Sequence, residues 1–306
     1  MNTTPLIRIW LAIAIILLLL GTSLTSAQTE HPVLSQPAAK GTWLYVGGNG
    51  PGNYTKIQDA IDNATDTDTI YVYSGIYNEN IVINNSISLI GQNRATTTIL
   101  GANGSDIVRL QDCSVELTGF TIQRYNKTNY LGLNIGECYS SYIDGNDIVS
   151  CSIGIDLSYS ESTIISNNTV RNCTHGMLIA LIANITITQN RFEGINDGWG
   201  IELGAVEFGI QYKNYITKNS FINYSVGLAL FGAWALIIQE NNFIGNQQHA
   251  VFITSFFNKW NQNYWGQSSR LPHIIPGSLG GLFINKKLPL INVDWHPAQT
   301  PYTIPG

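Results

Sequence analysis

Two carboxylates, Asp156 and Glu202, fall at the same place in a pattern that recurs along this 306-residue sequence. Each stands two residues after a small residue that opens a short apolar run; the equivalent positions in the other copies are Asn134, Leu178, Ala229 and Phe252. If each copy is one rung of a stack of strands, Asp156 and Glu202 lie two rungs, or roughly 9.6 Å, apart. A carboxylic acid and a carboxylate at about that distance, with a water between them, are the parts of an inverting glycoside hydrolase. Leu178 stands between them, however, and no Arg or Lys is seen in register. Solvated carboxylates are therefore the plainer expectation, and no catalytic residue is assigned.

Metal chemistry finds little support. His175 and His249 occupy similar turn positions three rungs apart, roughly 14 Å, and cannot share an ion. Asp144 to Asp147 reads Asp-Gly-Asn-Asp, the composition of an oxygen-ligand calcium loop but also of an ordinary turn, and the repeat places it on a turn. The four cysteines, Cys113, Cys138, Cys151 and Cys173, show no CxxC or Cys/His spacing. The expectation is no metal and no cofactor.

Hydrophobic side chains are more informative. From the third copy onward the outward positions turn apolar, with Leu178, Ala229 and Phe252, and the adjoining turns carry Leu181, Phe231, Trp234, Phe256 and Phe257. A contiguous exposed apolar strip marks a partner surface. An expansion between Gly200 and Asn219 adds Phe208, Tyr212 and Tyr215 at its edge. Either that loop and the C-terminal tail cover the strip, or Leu178, Phe208, Tyr212, Phe231, Trp234 and Phe252 form a platform for sugar rings or another protein.

The elements that would position these residues follow from the period. The copies open at Gly132, Gly154, Gly176, Gly200, Gly227 and Ala250, spaced 22, 22, 24, 27 and 23 residues apart. Such a period signals a repeat architecture, and the alternation within each run is that of a strand. Leucine-rich repeats share the period but need a Leu skeleton that is absent here. The remaining solution is a coil of parallel strands burying one apolar column. Asn146, Asn168, Asn190, Asn219, Asn242 and Asn263 recur at one place per rung and predict a turn ladder, because an amide both donates and accepts. Cys151 and Cys173, followed by Ile195, share an interior position. Thr55 to Gln58 matches a capping box, and Ile57, Ala60, Ile61 and Ala64 form one face of a helix that lids the first rung. After Gly266 the rhythm is lost and prolines accumulate; this tail should fold back over the last rungs, with Trp260, Tyr264, Trp265 and Trp295 closing the core.

The N-terminus carries an address. Arg8, an apolar run from Ile9 to Leu20, and the small-residue site Thr25 to Ala27 have the form of a secretory signal peptide, or of a membrane anchor if uncleaved. Export permits a disulfide between Cys151 and Cys173, and two buried thiols are the equal alternative. It also makes glycosylation relevant: nine Asn-x-Ser/Thr sites follow the signal, of which Asn126 and Asn223 are the best placed. Only 11% of residues are charged, and the net charge of −5 includes no basic cluster, which argues against nucleic acid as a partner.

Three stretches carry a family resemblance. Tyr45 to Ile61 reads Tyr-Val-Gly-Gly-Asn-Gly-Pro-Gly-Asn-Tyr-Thr-Lys-Ile-Gln-Asp-Ala-Ile; Asp68 to Tyr77 leads into Ile81 to Ile83 and Ser88 to Gly91; and Asn261 to Gly266 is followed by Val293 to Gln299. Together they resemble NosD-like right-handed β-helix proteins of the pectin-lyase-like superfamily, abundant among archaeal surface proteins, over about residues 43–300. The resemblance implies an all-β, right-handed, single-stranded parallel β-helix with an N-terminal amphipathic helix cap and an irregular C-terminal cap. It does not supply the catalytic sets of pectate lyases or polygalacturonases, which match no positions here. NosD is linked to copper insertion, yet two Met and five scattered His provide no ligand set.

The expected organisation is a signal peptide over 1–27, a linker over 28–41, the β-helix over 42–266 with its helix at about 55–64, and a Pro-rich segment over 267–306. The expected role is a secreted or cell-surface protein that binds polysaccharide or a cell-envelope protein without catalysis. The alternative is a polysaccharide lyase or glycoside hydrolase using Asp156 and Glu202.

Overall fold

The computed structural model describes residues 41–102, 104–124, 130–204, 213–281 and 284–305. The expected signal peptide, all of the expected linker but Gly41, and Asn126, Phe208 and Tyr212 lie outside the described residues. The chain winds as a right-handed parallel β-helix whose strands form three faces. Face A stacks ten strands from Trp43–Val46 to Lys259–Asn261, and face B eight strands from Gly75–Tyr77 to Asn242–Ile244. Face C begins at Ile81–Ile83, runs through the long strands Leu131–Gly136, Ile153–Ser158, His175–Ala180, Trp199–Leu203, Val226–Phe231 and Gln248–Ile253, and ends in two further strands.

Alternation decides what each face buries. On face C, Leu133, Ile155, Met177, Ile201, Leu228 and Ala250 form one inward column, and Ile135, Leu157, Ile179, Leu203, Leu230 and Phe252 another, all buried. Face B contributes the stack Phe192, Phe221 and Phe243, continued by Trp265, with ring centroids 5.4, 5.0 and 4.6 Å apart. These columns keep adjacent rungs in register, because a one-residue slip would turn every apolar side chain outward.

That logic corrects one sequence expectation. Ala250 pairs with Leu228, so His249, not Ala250, stands where Gly227 stands one rung earlier. Phe252 therefore points inward, 2% exposed, and Val251 takes the outward position.

The corner between faces A and B is a two-residue turn. Its first residue is left-handed in six successive rungs: Gly145, Asn167, Gln189, Lys218, Glu240 and Gln262, with φ between 52° and 63°. For a non-glycine residue this costs about 1 kcal/mol or more. The second residue offsets the cost. Asn146, Asn168, Asn190, Asn219, Asn241 and Asn263 form the expected ladder, in which each Oδ1 accepts from the backbone N and Nδ2 of the Asn one rung before. Asn241, not Asn242, is the fifth member; Asn242 lies in a face B strand and donates to Ser220 Oγ and the Tyr302 carbonyl. The interior column of Cys151 and Cys173 does not continue through Ile195, which is 47% exposed. Extra residues in that rung turn Ile195 out, and the Tyr224 ring extends beneath Gly194 and Gly176 to fill the gap. Cys151 and Cys173 are buried thiols outside any disulfide, as are Cys113 and Cys138, whose sulfurs touch at 3.7 Å.

Both ends differ in detail from expectation. The lid is the helix Ile57–Asn63, which buries Ile57, Ala60 and Ile61. Its N-terminus has no capping box; the Glu79 carboxylate accepts from Ile57 N at 2.9 Å and Gln58 N at 3.0 Å. The tail is not irregular. Strands His273–Gly281 and Ile284–Asp294 form an antiparallel hairpin, the first pairing in parallel with Gln248–Ile253. Trp260 and Trp265 are buried and Tyr264 is half-buried, but Trp295 is 66% exposed and closes nothing. Asp294 performs the closure: its fully buried carboxylate ends the Asn ladder by accepting from Gln262 N, Asn263 N and Nδ2, Trp265 Nε1 and His296 N.

Candidate functional site

Register along face C puts Val82, Arg109, Asn134, Asp156, Leu178, Glu202, Ala229 and Val251 in one outward row. Asp156 and Glu202 are two strands apart with Leu178 between them, as the spacing predicts. Arg109 is new. It belongs to the rung before the first recognisable repeat, where no glycine opens the strand, so the pattern that located Asn134 stopped one strand short.

Arg109 donates to Asp106 Oδ2 at 2.8 Å, and Asp106 also accepts from Asn134 Nδ2 at 2.9 Å and Leu131 N at 3.1 Å. Burial pushes the Asp106 carboxyl up, but these bonds and the guanidinium charge outweigh it and hold the group below its ordinary value. Asp156 is held above the usual carboxylate range, by burial and then by the Asp106 charge, against a hydrogen bond from Ser158. Beside this row the strand step at Gly136, where a side chain would meet nothing within 4 Å, opens a hollow of about 190 Å³. Arg109, Gln111, Asn134, Ser158 and the 60% exposed Tyr159 surround it.

Further along the same face the character changes to aromatic. His175 and Trp199 are in-register neighbours with ring centroids 5.7 Å apart, and Trp199 lies 5.5 Å from Phe231. Glu202 Oε2 lies 3.9 Å from His175 Nδ1. Burial raises the Glu202 carboxyl and the His175 charge partly offsets it. Leu178, Trp199, Glu202 and Phe231 are all half-buried, with surface left for a ligand.

The apolar strip expected from sequence is thus interrupted. Phe252 is in the core and Ala229 is buried, while Trp234 packs on the following turn against Phe256 and Phe257 at 6.2 and 4.6 Å. Asn223 is exposed on a turn, a place a glycan can occupy. Asp144 accepts from Ser166 Oγ and Asn167 Nδ2, whereas Asp147 lies 3.6 Å from Arg94, so the two carboxylates serve different partners. Two further groups escaped sequence reasoning. Trp43, Tyr45, Tyr71 and Tyr73 cluster on the outer side of face A. His249 and His273 face a hollow of about 370 Å³ at the C-terminal end, where His273 stacks on Trp265 at 4.1 Å. Burial lowers the pKa of both imidazoles.

The family described as "Periplasmic copper-binding protein (NosD)" matches residues 61–270. Among solved structures, the chain is similar to a pectin methylesterase in complex with hexasaccharide IV, at 13% identity over 76% of this chain and 81% of that one, with a TM-score of 0.45. It is also similar to the A-module of a mannuronan C-5 epimerase of Azotobacter vinelandii, at 16% identity over 71% and 75% of the chains and a TM-score of 0.38. A third is the catalytic domain of an alpha-1,3-glucanase in complex with nigerose, at 10% identity over 78% of this chain and 57% of that one and a TM-score of 0.36. No curated protein sequence matches this chain.

The copper of the family's description can be tested against the donors present. Among the described residues no three His, Cys, Asp or Glu side chains are grouped to hold a metal. His249 and His273, with rings 6.3 Å apart, have no third ligand beside them; His249 Nδ1 is buried without a hydrogen bond. Met177 is sealed in the core. The described residues do not fit a copper site of three or four donors.

Proposed function

Because this chain belongs to the NosD family, described as periplasmic copper-binding proteins, we propose that it is a non-catalytic β-helix protein of the cell envelope that binds polysaccharide along face C. The observation that carries the reading is the register of that face, which sets the polar hollow beside Gly136 and the Trp199 cluster on one straight outward surface. Hydroxyls can be met by Arg109, Asn134, Ser158 and Asp156, and the apolar faces of sugar rings by Tyr159, Leu178, Trp199 and Phe231. A cell-envelope protein is the less favoured partner, because the apolar row is broken at Ala229 and Val251 by buried or small surfaces.

The engagement of the acids supports a non-catalytic role. Asp106 is committed to Arg109 and Asn134, Glu202 is beside His175, and Leu178 separates Glu202 from Asp156. Export places the chain where such a partner is found, with glycans at sites such as Asn223 and no metal or cofactor needed. Among the described residues no helix is long and apolar enough to cross a membrane.

The test is a binding screen of the purified protein against neutral, acidic and amino-sugar oligosaccharides. Trp199→Ala should weaken the binding found by about tenfold, the effect of removing one aromatic contact of 1–2 kcal/mol. The hydrolase or lyase alternative is favoured by one observation, the raised pKa values of Asp156 and Glu202, and requires depolymerisation that Asp156→Asn abolishes.

A further inference from the structure

We propose that the glycan held by face C carries protonated amino groups rather than carboxylates, an inference that rests on the polysaccharide reading above. Charge is unevenly divided along the outer side of that face. From the strand Ile81–Ile83 to Gln248–Ile253 the described charged groups are Asp106, just before the strand Val108–Gln111, Asp156 and Glu202 against Arg109, with His175 beside Glu202; Lys286 and Lys287 belong to the last strand of the sheet, beyond these rungs. Arg109 is already paired with Asp106. A polyuronate laid along the row would bring its carboxylates against Asp156 and Glu202, with no unengaged Lys or Arg among the described residues of these rungs to receive them. The chain's net charge of −5 has the same sign and adds to the repulsion at long range.

The surroundings of Glu202 favour the opposite charge. Its carboxylate shares the surface with Trp199 and Phe231, whose rings lie 5.5 Å apart. His175 stands between that carboxylate and the indole, 3.9 Å from Glu202 Oε2 and 5.7 Å from the Trp199 ring, and an ammonium reaching both would gain a charge-assisted hydrogen bond and attraction to the ring's π-cloud. Asp156 repeats the acidic half of this arrangement two strands away in the same straight row, roughly 9.6 Å along the axis. Leu178 lies between them, under the place where the apolar face of a sugar ring would rest. Two carboxylates about a disaccharide's length apart, separated by an apolar step, match an extended glycan bearing amino groups on alternate residues.

The experiment is calorimetric titration of the full chain with three hexamers: glucosamine, N-acetylglucosamine and galacturonate, at a pH where the free sugar amine is protonated. The glucosamine hexamer should bind at least about tenfold tighter than its N-acetylated counterpart, the gain expected from a partly desolvated cation–π and ion-pair contact. The Asp156→Asn/Glu202→Gln double variant should lose that preference, its affinities for the glucosamine and N-acetylglucosamine hexamers becoming equal. Galacturonate binding equal to or tighter than glucosamine, or a preference unchanged in the double variant, would overturn the inference. If both glucosamine forms bind equally and Trp199→Ala weakens both, the amine inference fails and the polysaccharide reading stands. If none of the three binds, both fail.

Discussion

Asn190→Ala removes the middle of the ladder at the corner between faces A and B. The Asn190 side chain is fully buried; its Oδ1 accepts from Asn168 N and Nδ2, both at 3.0 Å, and its Nδ2 donates to the Ile165 carbonyl at 2.8 Å and to Asn219 Oδ1 at 3.0 Å. Alanine leaves at least the Asn168 N–H and one side of the Ile165 carbonyl without partners in a dry interior. Asn168 Nδ2 keeps its bond to the Ile143 carbonyl, and so is only half orphaned. Two buried orphans at about 1–3 kcal/mol each give a loss of about 2–6 kcal/mol. Against a typical stability of about 5–15 kcal/mol, the variant should unfold at markedly lower urea concentration. Asn63→Ala, which removes one exposed bond to the Asp59 carbonyl, should change stability by less than about 0.5 kcal/mol. Hydrogen exchange would localise the effect, with the Asn168 amide losing protection in Asn190→Ala. A loss below about 1 kcal/mol, with Asn168 still protected, would refute the claim that this ladder holds the corners.

Three further outcomes follow from the two ends and the acidic row. Asp294→Ala should free the hairpin, since five donors lose one buried carboxylate; limited proteolysis should cut within 267–306 while the rungs resist. Glu79→Ala should cost about 1 kcal/mol in thermal unfolding by uncapping the lid helix, while Thr55→Ala costs little, because no side chain within the helix segment caps it. Asp156 and Glu202 have raised folded pKa values, so the folded state binds their protons more tightly and stability should increase as pH falls through those values toward the ordinary carboxylate range. His249 and His273 have lowered ones, so their contribution is present above an imidazole's usual value of about 6.5 and is lost as pH falls through the depressed folded value. Urea midpoints across pH should show the acid-side gain disappear in the Asp156→Asn/Glu202→Gln variant.

What the sequence revealed, and what it hid, has a physical pattern. Identical corners need one left-handed residue and one amide each, so the period of Asn gave the coil, its register and the place of Asp156, Leu178 and Glu202. Errors came where two residues of the right type were adjacent. Asn241 and Asn242 both suit a ladder, and only the two-residue corner distinguishes them. Ala250 looks like an opening glycine, but it pairs with Leu228 in the inward column, and this one-residue shift puts Phe252 in the core. Contacts far apart in sequence were illegible: Glu79 caps a helix that begins 22 residues earlier, and Asp294 completes a ladder 31 residues after Asn263. Arg109 was hidden because its rung lacks the repeat's glycine, although it extends the candidate face by one strand. The hairpin was obscured by Pro276 and Pro289: Pro289 lies in the edge strand, and Pro276 stands just before Gly277 and Ser278, the two residues that pair with Gln248–Ile253.

The most direct test of the account is the affinity of the wild type, Trp199→Ala and Trp43→Ala for the same oligosaccharide, measured by calorimetry. Trp43, 49% exposed on the outer side of face A, lies outside the proposed binding surface. Binding weakened about tenfold or more by Trp199→Ala and unchanged by Trp43→Ala is the predicted result. Equal affinity of the wild type and Trp199→Ala, or a loss confined to Trp43→Ala, would contradict the assignment of face C as the polysaccharide-binding surface.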